Sequence, residues 1–339
     1  MEKAGLLYLF TGAVIAVSTA INSTLTEFNI PAERFAESAV VSAYAAGEEV
    51  GYGLLPETPQ EQQSVENSLQ RVNGGQNFYI IQYSGVSDYL PYSGEFAEYV
   101  KERQLILSNI GYEKVLPFVI SETTDYRWEH SNQSNYNSCA TFGFTNAYDA
   151  TVLYNIALGS GQYANRYNPM YLYRNTSGGS GGRTLSEILN FNFESGHAAA
   201  DKIGKYPSLS GSDPDVKQRC CNAVKLESAE QAAEVLKAGL GVYIGNRQAV
   251  SGSKQNADGL RVAALGGSWS HSTAFIGYVQ INGKDYYLWR NSHGARYTAA
   301  DKLDTPADCC WMQFDDLRTM LGSTGYGGPF AILPESVKQ

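Results

Sequence analysis

Cysteine, histidine and asparagine stand in the order Cys139, His271, Asn291, with Gln133 six residues ahead of the cysteine. Together these side chains offer nucleophilic acyl transfer. That chemistry needs a thiol that gives up its proton, a base to hold it, a group to orient the base, and donors for the oxyanion. Asn137 and Ser138 are good helix N-caps, and behind Cys139 the residues Phe144, Ala147, Tyr148, Thr151 and Val152 repeat at three and four. A helix is therefore predicted to begin at Cys139, where the partial positive charge of its N-terminus favours thiolate. The base comes from a short set: His130, His197, His271 and His293.

His271 precedes an apolar run from Thr273 to Gln280, and Asn282-Gly283 separates it from a second run, Asp285 to Arg290. Asn-Gly between two such runs predicts a hairpin with a type I′ turn, since both residues tolerate positive φ. A symmetric ladder about that turn sets Asn291 opposite Ala274 and His271 opposite Gly294. Both polar side chains then arrive at the open end of one hairpin, where a bulge or twist brings them into contact. The Asn291 amide oxygen would accept a hydrogen bond from one imidazole nitrogen and leave the other for the thiol. Gln133, with the backbone N–H of Cys139, would face the oxyanion. His130 and His197 read as solvated or turn residues.

Taken alone, Cys139 reads as a buried core thiol; in this company the segments resemble the papain-like cysteine peptidases. The resemblance rests on Gln133 to Cys139, on Asp125-Tyr126-Arg127-Trp128 through Cys139-Ala140-Thr141-Phe142, and on Ser270-His271 followed by Phe275-Ile276-Gly277-Tyr278. It rests also on Asn291-Ser292-His293-Gly294, which is similar to the family's Asn-Ser-Trp-Gly. His271 and Asn291 fall 132 and 152 residues after Cys139, near the family's spacing. The resemblance covers roughly Leu116 to the C-terminus. It implies an α+β, two-lobed papain-like fold, with a helical lobe headed by Cys139 and a β-rich, barrel-like lobe carrying His271 and Asn291. It further implies a peptidase acting on protein or peptide substrates, with neither metal nor organic cofactor, and a strip at Gly181 and Gly182 along which substrate backbone pairs. Two positions depart from the pattern: Ala140 stands where an aromatic residue usually follows the nucleophile, and His293 where a tryptophan usually shields the Asn–His bond. The strip also lacks its usual neighbouring cysteine. The alternative is a catalytically inactive papain-like module, a structural or binding component of a virion or cell-envelope assembly.

The elements that position these residues lie in a chain of 339 residues with a net charge of −9 and a pI near 5.0. So acidic a chain, without a Lys/Arg cluster, is not built to grip phosphate backbones, and no nucleic-acid partner is expected. Hydrophobic residues make up 43%, enough for a real core, whereas 17% are charged against about 25% in an average soluble domain. Low charge with 34 Gly and 24 Tyr suits secreted or assembled proteins.

Residues 1–21 form the first of three expected regions. The stretch from Ala4 to Ile21 is uncharged, and three readings stay open for it: a cleaved signal peptide, a retained membrane anchor, or a buried helix of a larger assembly. The first two place the protein outside the cytoplasm; the third agrees with a virion-associated one. Residues 22–115 read as a prosegment-like or accessory region, with Leu55 to Glu66 as a polar linker, Phe78 to Tyr83 as a β-type run, and Phe96, Tyr99, Val100 and Leu107 at helical spacing. Residues 116–339 form the papain-like part. Within it Leu185, Ile188 and Leu189 suggest a short helix, Ser228 to Gln231 a capping box with Gly239 as the stop, and Val242 to Ile244 a buried strand. The vicinal pairs Cys220-Cys221 and Cys309-Cys310 either bridge to each other or stay buried, and no zinc spacing joins them.

Overall fold

A computed structural model describes residues 50–51, 90–92, 94–125, 131–158, 168–176, 181–195, 223–322, 326 and 328–333. Ala4 to Ile21, Leu55 to Glu66, Phe78 to Tyr83, His130, His197, Cys220 and Cys221 lie outside them. Two short strands come first, β1 (Val50–Gly51) and β2 (Leu90–Pro91), then helices α1 (Gly94–Ile110), α2 (Tyr112–Asp125), α3 (Cys139–Ala157), α4 (Pro169–Asn175) and α5 (Leu185–Ser195). The rest is mostly sheet: β3 (Ala223–Lys225), α6 (Ala229–Lys237), β4 (Val242–Gln255), β5 (Arg261–Ile281), β6 (Lys284–Arg290), β7 (Cys309–Met312), α7 (Phe314–Leu321) and β8 (Phe330–Ile332). The fold is α+β, with helices packed on a mainly antiparallel sheet. Leu116, the expected start of the third region, lies within α2.

The sheet runs β2-β3-β8-β4-β5-β6-β7, and β7 also touches β5 through Val262 and Trp311. Its strands are buried on both faces, so successive side chains feed two different cores. Ala274, Leu288, Cys309 and Trp311 join the core under α2, α3, α4 and α5, while Phe275, Trp289, Cys310 and Met312 join the one under α1, α6 and α7. This alternation accounts for the vicinal cysteines at 309 and 310: they point to opposite faces. Both are buried free thiols in this structure, not half of a bridge.

Local chemistry sets several boundaries. Ser228 Oγ accepts from Gln231 N at the start of α6, but Gln231 Oε1 reaches back to the N–H of Glu227 instead of Ser228. Gly239 adopts φ +69° just after the helix. Asn282 and Gly283 take φ 51° and 73°, the type I′ signature, and Gly277 to Ile281 pair with Leu288 to Lys284 in the symmetric register. A bulge between Phe275 and Gly277 then moves Ala274 opposite Arg290, one residue short of the symmetric partner Asn291.

Candidate active site

Helix α3 carries Cys139 as its first residue and is buried almost all round, as befits a helix enclosed by others and by a sheet. Residues four apart share a helix face, and the stripe 139, 143, 147, 151 faces the sheet. A side chain at Gly143 would place its Cβ 2.6 Å from Ser272 Oγ and 3.0 Å from Thr273 O, and one at Gly241 would sit 2.0 Å from Ala147 O. Thr151 Oγ1 accepts from Gly241 N and donates to Ile332 O. These close approaches dock the helix N-terminus on β5, with the Cys139 sulfur against the backbone N–H of Ser272, one residue from His271.

His271 and Asn291 meet at the hairpin's open end: His271 Nε2 lies 2.7 Å from Asn291 Oδ1. The proton's position follows from the neighbours. Asn291 Oδ1 also accepts from Ser292 N at 2.7 Å, and a backbone N–H can only donate, so the amide oxygen is on that side. His271 Nε2 therefore carries the proton, and Nδ1 is the basic nitrogen of the neutral ring. Asn291 Nδ2 donates to Tyr297 Oη at 2.9 Å, which fixes the amide from its other end. Trp269, two residues before His271 and on the same face of β5, sets its ring edge-on to the imidazole at 4.7 Å.

Burial dominates the electrostatics. Cys139, His271 and Asn291 have no solvent exposure. Burial pushes the Cys139 thiol up to about 12, and the backbone N–H groups of Ser272, Ala140 and Cys139 itself pull the other way without overcoming it. Burial likewise holds His271 down at about 3, against the bond to Asn291, with the Arg296 charge adding to the depression. The expected thiolate at a helix N-terminus is thus corrected: in this closed arrangement thiol and imidazole are both neutral. Ser138 is the N-cap by position, but its hydroxyl makes no capping bond; its carbonyl accepts from Thr141 and Phe142 instead.

Gln133 is buried and tied to the Asn291 loop. Its Oε1 accepts from Ser292 Oγ at 2.6 Å, its backbone N donates to Ser292 O, and one N–H of its amide donates to Tyr136 O at 2.8 Å. Asn132 pairs with His293, and Gly294 N donates to Ser131 O, so residues 131–133 run antiparallel to 292–294. Gly181 and Gly182 turn their carbonyls inward to Arg183 Nη1, at 2.8 and 2.9 Å. Arg183 is fully buried, with Tyr173 packed over its guanidinium, and the Tyr173 hydroxyl lies between Asn137 N–H and Gly181 O. Sequence reasoning missed Tyr173, Arg183, Ser292 and Tyr297. For Ser292 the signal was its place directly after Asn291; the other three carry none that is local. Among the described residues no group of three or more His, Cys, Asp or Glu is placed to hold a metal ion, and no helix is long and apolar enough to cross a membrane.

Fold and site together define an α+β protein with a buried Cys-His-Asn cluster where a central helix meets an antiparallel sheet. Solved structures similar to it include the digestive procathepsin L2 proteinase of Tenebrio molitor larval midgut, at 18% identity and TM-score 0.40 over 60% of this chain and 63% of that one. Others are proCathepsin B S9 of Trypanosoma congolense, at 12% and 0.40 over 64% and 73%, and digestive procathepsin L 3 of Tenebrio molitor, at 13% and 0.37 over 84% and 95%. The chain thus spans less than two thirds of the first of these. No protein-family model matches the sequence, and no curated protein matches it.

Proposed function

We propose that the chain is a papain-like cysteine peptidase, with a helical lobe headed by Cys139 and a β-rich lobe carrying His271 and Asn291. The observation that carries this reading is the 2.7 Å bond from His271 Nε2 to Asn291 Oδ1. It leaves Nδ1 as the base, beside a helix whose first residue is a cysteine. In the mechanism, Cys139 transfers its proton to His271 Nδ1 as the sulfur forms a bond to the peptide carbonyl carbon. His271 then gives that proton to the leaving amine as the C–N bond breaks, and a water activated by His271 hydrolyses the thioester. The Cys139 backbone N–H and the second N–H of the Gln133 amide are the oxyanion donors. The neutral pair is one proton transfer away from the reactive thiolate-imidazolium.

Substrate backbone would run along Gly181 and Gly182. With both carbonyls engaged by Arg183, their N–H groups become the principal offering. The region ahead of the peptidase part reads as a prosegment, and two facts support contact with the site: β1 pairs in parallel with Trp269 and Ser270, directly before His271, and the site is closed to solvent. Ala4 to Ile21 would direct the protein out of the cytoplasm as a secreted or anchored form. A second reading is favoured by that same complete burial: an inactive module of an envelope or virion assembly, in which Cys139 is a structural thiol.

The test is labelling with an epoxide inactivator, read by peptide mass spectrometry, on the full chain and after limited proteolysis ahead of Leu90. Modification confined to Cys139 and lost in His271→Ala is the expected result. Absence of modification in both forms would establish the inactive module.

A further inference from the structure

A second imidazole lies against the first. The His293 ring stacks on that of His271 with centroids 4.5 Å apart and planes 23° from parallel, and Trp269 meets both rings edge-on. His293 Nδ1 lies 3.4 Å from Asn291 Nδ2 and 3.5 Å from Arg296 Nη1. Both are donors: the amide nitrogen is identified by the Ser292 N–H on the oxygen, and a guanidinium cannot accept. Nδ1 of His293 is therefore an acceptor, the ring proton is on Nε2, and a second proton would have to face two donors. A second imidazolium stacked at this distance would also repel the first. Burial, His271 and Arg296 together hold His293 well below the ordinary imidazole range.

We propose that His293 is a positioning residue for His271: a neutral ring that stacks on the imidazole, accepts from the Asn291 amide, and holds the Arg296 guanidinium beside the pair, where that charge opposes a positive charge on His271. This deepens the peptidase reading and rests on it for the role of His271. The other elements packed on the pair leave the balance positive. Residues 131–133 bring the uncharged Asn132 and Gln133; α3 brings the Cys139 thiol; β4 sets Asn246 opposite His271; β1 brings Val50 and Gly51; Tyr297 Oη is bonded to Asn291. Arg290, next to Asn291, is paired with Asp308. Among the described residues Arg296 is the charged group that acts on both rings. A tryptophan at 293 could stack in the same way but would offer Asn291 Nδ2 no ring nitrogen lone pair.

The test uses the full chain with isotope-labelled histidine and two readouts. Imidazole NMR reports tautomer and titration. The pH profile of epoxide inactivation, in which ring opening draws its proton from His271, reports where the acid is lost. The wild type is expected to show Nε2–H tautomers for both His271 and His293. Arg296→Gln should move the His271 titration and the alkaline limb up by roughly half a unit to one unit, and Arg296→Lys should restore the wild-type position. His293→Phe, which keeps a stacked ring without the acceptor, should broaden or mix the His271 tautomer signal. If that variant does not fold, the wild-type His293 tautomer together with Arg296→Gln, in the loop after the site, decides. An Nδ1–H or protonated His293 at neutral pH, or an Arg296→Gln titration that coincides with wild type, overturns the proposal. Failure of Cys139 to react in any variant, wild type included, would sink the peptidase reading, while the NMR titration would still decide the positioning.

Discussion

Cys139 and Cys309 are both fully buried thiols, and burial is the main cause that raises each of them. Their surroundings differ in what would meet a thiolate. At Cys139 the backbone N–H groups of Ser272, Ala140 and Cys139 itself favour the thiolate, at the first turn of a long helix. At Cys309 the sulfur lies 3.5 Å from Asp308 Oδ1, whose charge adds to the upward shift, and the nearby Arg290 is already bound to Asp308 at 2.8 Å. Burial therefore does not distinguish a nucleophile from a packing thiol. The sign of the surrounding polar groups does: one site is arranged to receive negative charge once solvent access or substrate shifts the proton, and the other would have to hold two negative charges together.

The largest expected effect breaks this comparison at the sulfur. Cys139→Ala should lower peptidase activity by about a thousandfold or more, whereas Cys309→Ala should leave kcat/KM within about twofold; each removes a fully buried thiol and should cost roughly 1 to 2 kcal/mol of packing. Equal losses of activity in the two variants would show that the donors around Cys139 confer nothing. Next in size is the ion pair beside Cys309. Asp308 Oδ2 holds Arg290 Nε and also accepts from Ser131 N, all of it buried. Asp308→Ala leaves a buried guanidinium unpaired and should cost about 3 to 5 kcal/mol in chemical denaturation. A loss under 1 kcal/mol would mean that water takes over the pairing.

A smaller effect is expected at the helix-sheet contact. Gly143→Ala forces a Cβ to within 2.6 Å of Ser272 Oγ and 3.0 Å of Thr273 O. The Ser272 hydroxyl is bonded to Ile244 O and has little room to turn. The substitution should cost roughly 1 to 3 kcal/mol and lower the rate of Cys139 labelling by more than that stability loss explains, because it lifts the nucleophile's helix from the strand that carries His271. Unchanged labelling with reduced stability would separate the packing of this stripe from the chemistry.

What the sequence made legible was local. The Asn282-Gly283 turn fixed the hairpin, its two strands and most of their register, because positive φ at two adjacent positions restricts the chain strongly. The helix at Cys139 followed from periodicity, and α1 from Phe96, Tyr99, Val100 and Leu107. The one-residue bulge at Phe275 left no local mark, although it changes which residue of the second strand lies opposite Ala274. The charge states were misread for the same reason. A helix N-terminus lowers a thiol pKa only as far as solvent leaves it room to act, and the burial that reverses the effect comes from elements far apart in sequence, α3, β5 and the loop at 291–294. Arg183 beneath Tyr173 is likewise a tertiary construction. Nothing near it in the chain distinguishes an arginine that organises the Gly181-Gly182 carbonyls from one on the surface.

An effect spread over a range of pH, and not concentrated in one substitution, tests the neutral state of the site directly. His271 is held at about 3 in the folded protein and returns to about 6.5 when unfolded. Between those values the unfolded chain binds a proton that the folded chain refuses, so stability is complete above about pH 6.5 and falls as the pH drops toward 3. The slope from this one group approaches about 1.4 kcal/mol per pH unit. Urea unfolding of the full chain at a series of pH values should show that fall, and His271→Gln, uncharged at every pH and able to donate to Asn291 Oδ1, should remove about one proton from the linkage. The Cys309 region offers the internal control, since substitution of that thiol should leave the slope between pH 6.5 and 3 unchanged. A slope that survives His271→Gln intact would place the acid-sensitive group elsewhere and would mean that folding does not depress His271, so that the folded ring takes up a proton as readily as the unfolded one.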